Sequence, residues 1–437
     1  MSKCTPELIG FPTSKSRRVQ ADFSGGDISS DGGALLLRQA DRRLGLTREL
    51  ARRLHDPRRQ ASCEHRQQRL LQQRVYALAL GYEDLNDHDQ LRTDPGLQTC
   101  TDTDRNLASA PTLCRWENRA DRQAARIANE LLVEKFIESF PRPPRELVLD
   151  FDATDDVVHG QQEGRFFHGY YDQYCFLPLY VFCGSQLLVG YLRPSNIDPA
   201  RHAWAILALL VKRLRQAWPK VKIVMRADSG FCRWKLLRWC DRHEVGYIIG
   251  VAKNARLNRL ALPLLQTARE QYEQEGQKQR LFDWLEYAAK TWDRKRSVIV
   301  KAEHGSQGAN PRYVVTNLEG EPQALYDELY CARGDMENRI KEQQLDLFSD
   351  RTSCARWWAN QWRMLLSGLA YVLLETIRRL GLRGTELARA QCGTIRLKLL
   401  KIGAVILRNT RRVRFHLASA CPHRRLFCLV AHRLALE

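Results

Sequence analysis

Leu149-Asp150-Phe151-Asp152-Ala153-Thr154 ends a strand-like run that opens at Glu146, and Arg226-Ala227-Asp228-Ser229-Gly230-Phe231 ends a second that opens at Val221. A third acid, Glu337, lies on a helical stretch in the spacing Tyr330-x2-Arg333-x3-Glu337. Carboxylates carried to one place by adjoining elements of a sheet can hold two divalent ions, the usual apparatus for hydrolysing or transferring a phosphodiester. The elements between these acids decide the fold.

Pro141-Arg142-Pro143-Pro144 cannot continue a helix and marks a boundary just before the first acid-bearing strand. Beyond it, strands are expected at 146–152, 176–183 and 187–193, the last two joined through Gly184-Ser185-Gln186 as a hairpin. A helix over 199–218, a strand over 221–228, a helix over 233–243 and a strand over 245–251 follow. The order β-β-β-α-β-α-β, with an acid closing the first and fourth strands, is the layout of an RNase H-like sheet. The expected fold class is therefore α/β, an RNase H-like mixed sheet.

The pattern breaks over 253–323, where a charged helical stretch precedes strand-like runs at 296–303 and 313–316; these read as a β-rich insertion subdomain. Helices then run over 326–347 and 355–380, so the core resumes over 324–382 with Glu337 in it. Residues 1–140 read as a mainly helical N-terminal domain, poorly periodic, with helices opening at Ala34, spanning about 64–80 and starting near Pro111. Residues 383–437 form a basic, helical C-terminal region.

The net charge of +19 points to a polyanionic partner, nucleic acid before acidic membrane. That charge is unevenly spread. Residues 1–140 hold 22 Lys/Arg against 20 Asp/Glu, whereas residues 391–437 hold 10 against the single acid Glu437. In the tail Arg408, Arg411, Arg412 and Arg414 cluster as candidate DNA contacts. Neither an apolar run of membrane-spanning length nor a signal-peptide core is present, so a cytoplasmic location is expected. The 13 cysteines show no Cys-x2-Cys pair and no zinc spacing, and they read as reduced thiols.

Two alternatives stay open at the acids themselves. Strand alternation puts Asp150 and Asp152 on one face, so either could be the ligand; Asp152 is preferred because Ala153-Thr154 turns the chain away and leaves it at the exposed end. Asp228-Ser229-Gly230 also reads as a cap on the turn that follows. At 100° per residue, Tyr330, Arg333, Glu337, Lys341 and Gln344 fall within an arc of about 80°. Leu329, Met336, Ile340 and Leu347 make an adjoining apolar line, and Asp335, Arg339 and Glu342 point away.

These segments resemble the insertion-sequence transposases with a DDE catalytic core, in the group marked by Tyr-x2-Arg-x3-Glu-x6-Lys. Within that group the likeness is to the insertion-sequence family numbered thirteen-eighty. It extends over nearly the whole chain and includes Gly81-Tyr82-Glu83-Asp84-Leu85-Asn86-Asp87-His88 and Ala108-Ser109-Ala110-Pro111-Thr112-Leu113-Cys114-Arg115. The resemblance implies that Asp152, Asp228 and Glu337 are catalytic and bind two Mg²⁺ or Mn²⁺ ions. It also implies that Tyr330, Arg333 and Lys341 hold the phosphate, and that the chain cleaves terminal inverted repeats of double-stranded DNA and transfers the strand into target DNA as a homodimer. In such enzymes the insertion packs against the transposon end, which makes Trp292 a candidate for stacking on an unpaired base, with a core Trp as the plainer reading. One residue departs from the signature: its lysine falls at position 344, which here is Gln344. A decayed or domesticated transposase that binds without transposing, and a metal-dependent nuclease, are the competing expectations.

Overall fold

The computed structural model describes residues 8–435. Residues 1–7 and 436–437, among them Glu437, lie outside the described residues. The chain divides into two compact units, one built from the residues up to Glu117 together with those from Leu369 onward, the other running from Asn118 to Gly368.

The second unit is built on one large sheet. Its strands are β1 (Glu146–Ala153), β2 (Leu179–Cys183), β3 (Gln186–Tyr191), β4 (Lys222–Ala227), β5 (Gly246–Val251), β6 (Gln279–Tyr287), β7 (Arg296–Gly305) and β8 (Arg312–Thr316). They lie in the order β6-β7-β8-β5-β4-β1-β2-β3, with β1, β4 and β5 parallel and all other neighbours antiparallel. The inner order β3-β2-β1-β4-β5 is the RNase H-like arrangement expected from the sequence.

Alternation along β1 sorts its side chains between two faces. Leu147, Leu149 and Phe151 enter the main core, together with Met225 of β4 and Leu207, Leu214 and Leu237 from helices α1 (Ala203–Ala217) and α2 (Trp234–Arg242). Val148 turns to the other face, where a smaller cluster holds Val224, Ile248, Val314 and Tyr326. Asp150 and Asp152 share that second face, and so does the helical segment that carries Glu337. The smaller cluster takes in Leu325, Leu329 and Tyr330 from that segment.

Three domain expectations change. The strands of the supposed insertion subdomain are not separate, because β8 hydrogen-bonds directly along β5 and thereby extends the central sheet. Part of the stretch read as helical, Gln279–Tyr287, is strand β6, paired residue by residue with β7. Helix Arg122–Glu138, assigned to the N-terminal domain, belongs to the second unit: Asn129 accepts a hydrogen bond from Gly190 N of β3 at 2.9 Å.

The first unit is helical at its centre. Helix Gln67–Leu80 buries every residue from Leu70 to Leu80, polar ones included. Arg74 pairs with Glu117 at 2.7 Å, Tyr76 donates to Asp41 at 2.7 Å, and Gln73 bridges Ala108 and His88. A helix buried all round has no amphipathic stripe, which is why this region reads as poorly periodic. The C-terminal region is not wholly helical either. Ala404–Arg408 and Val413–Leu417 form a hairpin that pairs with Ile28–Ser29, and only then does helix Arg424–Ala435 follow.

Candidate active site

Asp152 sits near the end of β1, where the register sets it opposite Tyr180 of β2. Its Oδ1 accepts from the Ala153 amide at 3.1 Å and lies 3.9 Å from Arg333 Nη1. Burial pushes the Asp152 carboxyl up to about 7; Arg333 opposes that shift, and the charges of Asp228 and Glu337 add to it. The three acids therefore face one another closely enough to repel.

Asp150 has a different fate. It lies beside Arg226 of β4 in the parallel register, and the two form a buried bidentate ion pair at 2.5 and 2.8 Å. The same guanidinium donates to the Leu329 carbonyl at 2.5 Å, which fixes the turn just before Tyr330 against the sheet. A carboxylate paired on both oxygens is spent. Of the two candidates, Asp152 is the one left with capacity to bind.

Asp228 follows β4 and caps the short turn Ser229–Phe231, its Oδ1 accepting from Gly230 N at 2.9 Å. The capping alternative is thus realised, and it occupies one oxygen. Tyr330 closes over this turn. A Cβ on Gly250 of β5 would stand 2.6 Å from the Tyr330 hydroxyl and 3.0 Å from Ser229 N, so the contact exists because position 250 is glycine. Burial raises the Tyr330 phenol; Arg333 opposes it, and the Asp228 charge adds to it.

Arg333 is the hinge of the group. Its Nη2 lies 2.7 Å from Glu337 Oε1. Burial works against its charge, but Asp152 and Glu337 outweigh that and raise its hold on the proton. No three His, Cys, Asp or Glu side chains among the described residues are gathered closely enough to hold a metal ion as they stand. Arg333 occupies the middle of the acidic group and carries the compensating charge. The donors nonetheless suit a hard divalent cation, being all-oxygen, with the Asp152 carboxyl half-buried and repelled by its neighbours.

The segment carrying Glu337 is continuous from Pro322 to Asp346 but not a uniform α-helix. Leu325–Tyr330 and Glu342–Asp346 are π-helical, Cys331–Arg333 is a 3-10 turn, and past the opening turn Pro322–Ala324 only Gly334–Lys341 is regular α-helix. A constant 100° per residue therefore does not carry the phase from Tyr330 to Gln344. Met336, Ile340 and Leu347 are buried as expected. Glu342 does not point to solvent; it is buried and paired with Arg339 at 2.5 Å. π-turns inside helices recur at functional sites, where the wider turn re-aims side chains. Gln344, in the second of them, donates from its amide to the Asp155 carbonyl at 3.0 Å. Lys341 is exposed one turn earlier.

Other candidates lie elsewhere. Trp292 packs edge-on to Tyr287 at 5.4 Å against the main core, which ties its ring into the fold. Arg408 donates to Gln98 Oε1 at 3.0 Å and to the Pro95 carbonyl, so it holds the first unit together instead of standing free. Arg411, Arg412 and Arg414 remain exposed on the hairpin. The Asp150–Arg226 pair was not foreseen from the sequence, although Arg226 stands two residues before Asp228 in the same motif.

An RNase H-like sheet with acids at the ends of its first and fourth strands defines a class, the enzymes that cut or transfer nucleic-acid phosphodiesters. Residues 11–437 match the family described as transposase DDE domain group 1, and the chain belongs to that family. It is a transposase; DNA is its substrate, and enzymes of this kind use divalent metal ions. No curated protein matches the chain. Among solved structures it is similar to a piggyBac transposase synaptic complex with hairpin DNA, at 12% identity over 84% of this chain and 79% of that one, with a TM-score of 0.44. A likeness that distant carries no argument about function. No helix among the described residues is long and apolar enough to cross a membrane.

Proposed function

We propose that this transposase cleaves DNA at its element's terminal inverted repeats and transfers the strand through Asp152, Asp228 and Glu337, with two Mg²⁺ or Mn²⁺ ions. The observation that carries the reading is Asp152: half-buried, pushed up to about 7, and faced by Asp228 and Glu337 while Asp150 is paired away. Bound divalent cations would supply Lewis-acid activation of the attacking oxygen and charge stabilisation at the leaving one. The chain's own residues do the rest. Arg333 moves from Glu337 to the scissile phosphate, where its fork fits two non-bridging oxygens, and so frees the carboxylate. Tyr330, held over the Asp228 turn by Gly250, orients that phosphate by its hydroxyl. Lys341 meets the flanking backbone as a point charge. Work on paired ends calls for a homodimer.

Purified protein should nick DNA bearing the element's own ends when Mg²⁺ is present and stop when it is chelated. Nicking that persists in chelator would contradict the metal assignment. One observation favours a second reading, binding without transposition: Gln344 is neutral and engaged with the Asp155 carbonyl. Tight binding of the ends with no nicks in Mg²⁺ or Mn²⁺ would select it.

A further inference from the structure

Between β1 and β2 the chain makes a small three-stranded sheet that the catalytic reading does not use. Phe166–His168 pairs with Gln173–Phe176, which pairs in turn with Asp156–Val157. The register places Phe167 opposite Tyr174, so both side chains project from one face, their rings 5.6 Å apart at 73°. Arg165, two residues before Phe167, lies on that face with its guanidinium 4.4 Å from the Tyr174 ring centre. Tyr170 stands at the turn. Phe167, Tyr170 and Tyr174 are 53%, 85% and 46% exposed. Side chains of this size left in water, clustered and backed by an arginine, mark a binding surface.

The surface is rigidly placed. At its base, a Cβ on Gly164 would stand 2.6 Å from the Trp357 ring, Phe176 packs edge-on to that ring at 5.3 Å, and Ser195 donates to the Phe166 carbonyl at 2.8 Å. It also borders the candidate active site. Gln173 donates to Asp155 Oδ2 at 2.8 Å, and the carbonyl of the same Asp155 accepts from Gln344 on the helical segment of Glu337. Burial pushes the Tyr171 phenol up to about 12, and Asp155 and Asp152 add to the shift.

We propose that the Arg165–Phe167–Tyr174 face, with Tyr170 at its turn, is a stacking platform for unpaired DNA bases next to the cleavage point. Every base presents a π-face, so two rings and a guanidinium bind single-stranded DNA with little sequence preference. Drawing a strand out of a duplex breaks stacking and pairing, and a platform beside the carboxylates offsets that cost where the strand is cut. The proposal rests on the DNA-cleaving reading of the site, but its test does not depend on catalysis.

The test uses the full chain, a fluorescent oligothymidylate of about twelve nucleotides and a blunt duplex of the same length. Phe167→Ala/Tyr174→Ala should weaken oligothymidylate binding roughly tenfold or more, since each base stack lost is worth about a factor of ten. Duplex binding should stay within about twofold, because it depends on phosphate contacts. Phe167→Tyr/Tyr174→Phe should bind like wild type. Phe167→Leu/Tyr174→Leu, which keeps apolar bulk without a π-face, should show the same loss of oligothymidylate binding while melting like wild type, and it carries the test if the alanine pair misfolds. Wild-type oligothymidylate affinity in both the alanine and leucine pairs would overturn the proposal. So would unchanged affinity with a lower mass by light scattering, which would make the face a contact between copies of this chain. Asp228→Asn should bind oligothymidylate normally while failing to nick; if it nicks, the catalytic assignment fails and the platform result still stands.

Discussion

Asp150 and Asp152, two residues apart on one strand, are separated in function by a single arginine. Arg226 takes both oxygens of Asp150 and leaves Asp152 facing two further acids. Removing one member of a buried ion pair strands the other, so Arg226→Met should cost about 3–5 kcal/mol in a denaturant titration, and Arg226→Met with Asp150→Leu distinctly less. A double variant no more stable than the single would mean that the pair does not act as a unit. Asp152 gives a pH prediction with a definite sign. Its folded value is raised from 3.8 to about 7, so the folded state holds the proton more tightly than the unfolded chain between those values. The benefit of the neutral carboxyl is full below about pH 4 and is lost as pH rises towards 7, by at most about 4 kcal/mol. Metal-free wild type should therefore melt lower at pH 8 than Asp152→Asn, and Mg²⁺ should raise the wild type alone. Equal melting of the two proteins at pH 8 would contradict the crowding of the three acids. None of this separation was legible in the sequence, where alternation made the two aspartates equivalent; only the cross-strand register pairs one of them with Arg226.

At the scale of the element, the segment from Pro322 to Asp346 bends the rule by which it was first read. Its apolar line was legible, because Met336 and Ile340 lie within the regular stretch Gly334–Lys341. The burial of Glu342 was not, because it lies where the helix passes into a π-turn and the residue spacing changes. Tyr330 reaches the Asp228 turn only because Gly250 leaves room beneath its hydroxyl. Gly250→Ala should destabilise by about 1–3 kcal/mol, as overpacking does, and should lower nicking by shifting Tyr330. Gly250→Ala with Tyr330→Phe removes one of the two clashing groups and should recover part of the lost stability. No recovery would place the strain at Ser229 instead. The strands of the central sheet were easier to read, since runs such as 221–228 and 245–251 are apolar and bounded by turns. The β6 strand was missed because only one of its nine residues is fully buried, so its sequence carries many polar and charged side chains.

In the whole molecule, the C-terminal basic segment returns to the first unit instead of trailing from the core. Pairing of Ala404 with Ser29, nearly four hundred residues apart, is beyond any local pattern, which is why a basic tail was expected there. Deleting residues 408–437 would remove strand Val413–Leu417 and the Arg408 contacts, so a truncation reports on folding as well as on DNA. Point changes separate the two. Arg411→Ala/Arg412→Ala/Arg414→Ala should leave melting unchanged and reduce the salt dependence of duplex binding by roughly one to three phosphate contacts. An unchanged slope would remove the hairpin from the DNA interface. The role of the acids is tested by nicking of DNA carrying the element's terminal repeats in Mg²⁺, wild type against Asp228→Asn, with end binding measured on the same samples. Asp228→Asn should bind the ends as wild type does and make no nicks. Nicking by Asp228→Asn at the wild-type rate would contradict that role.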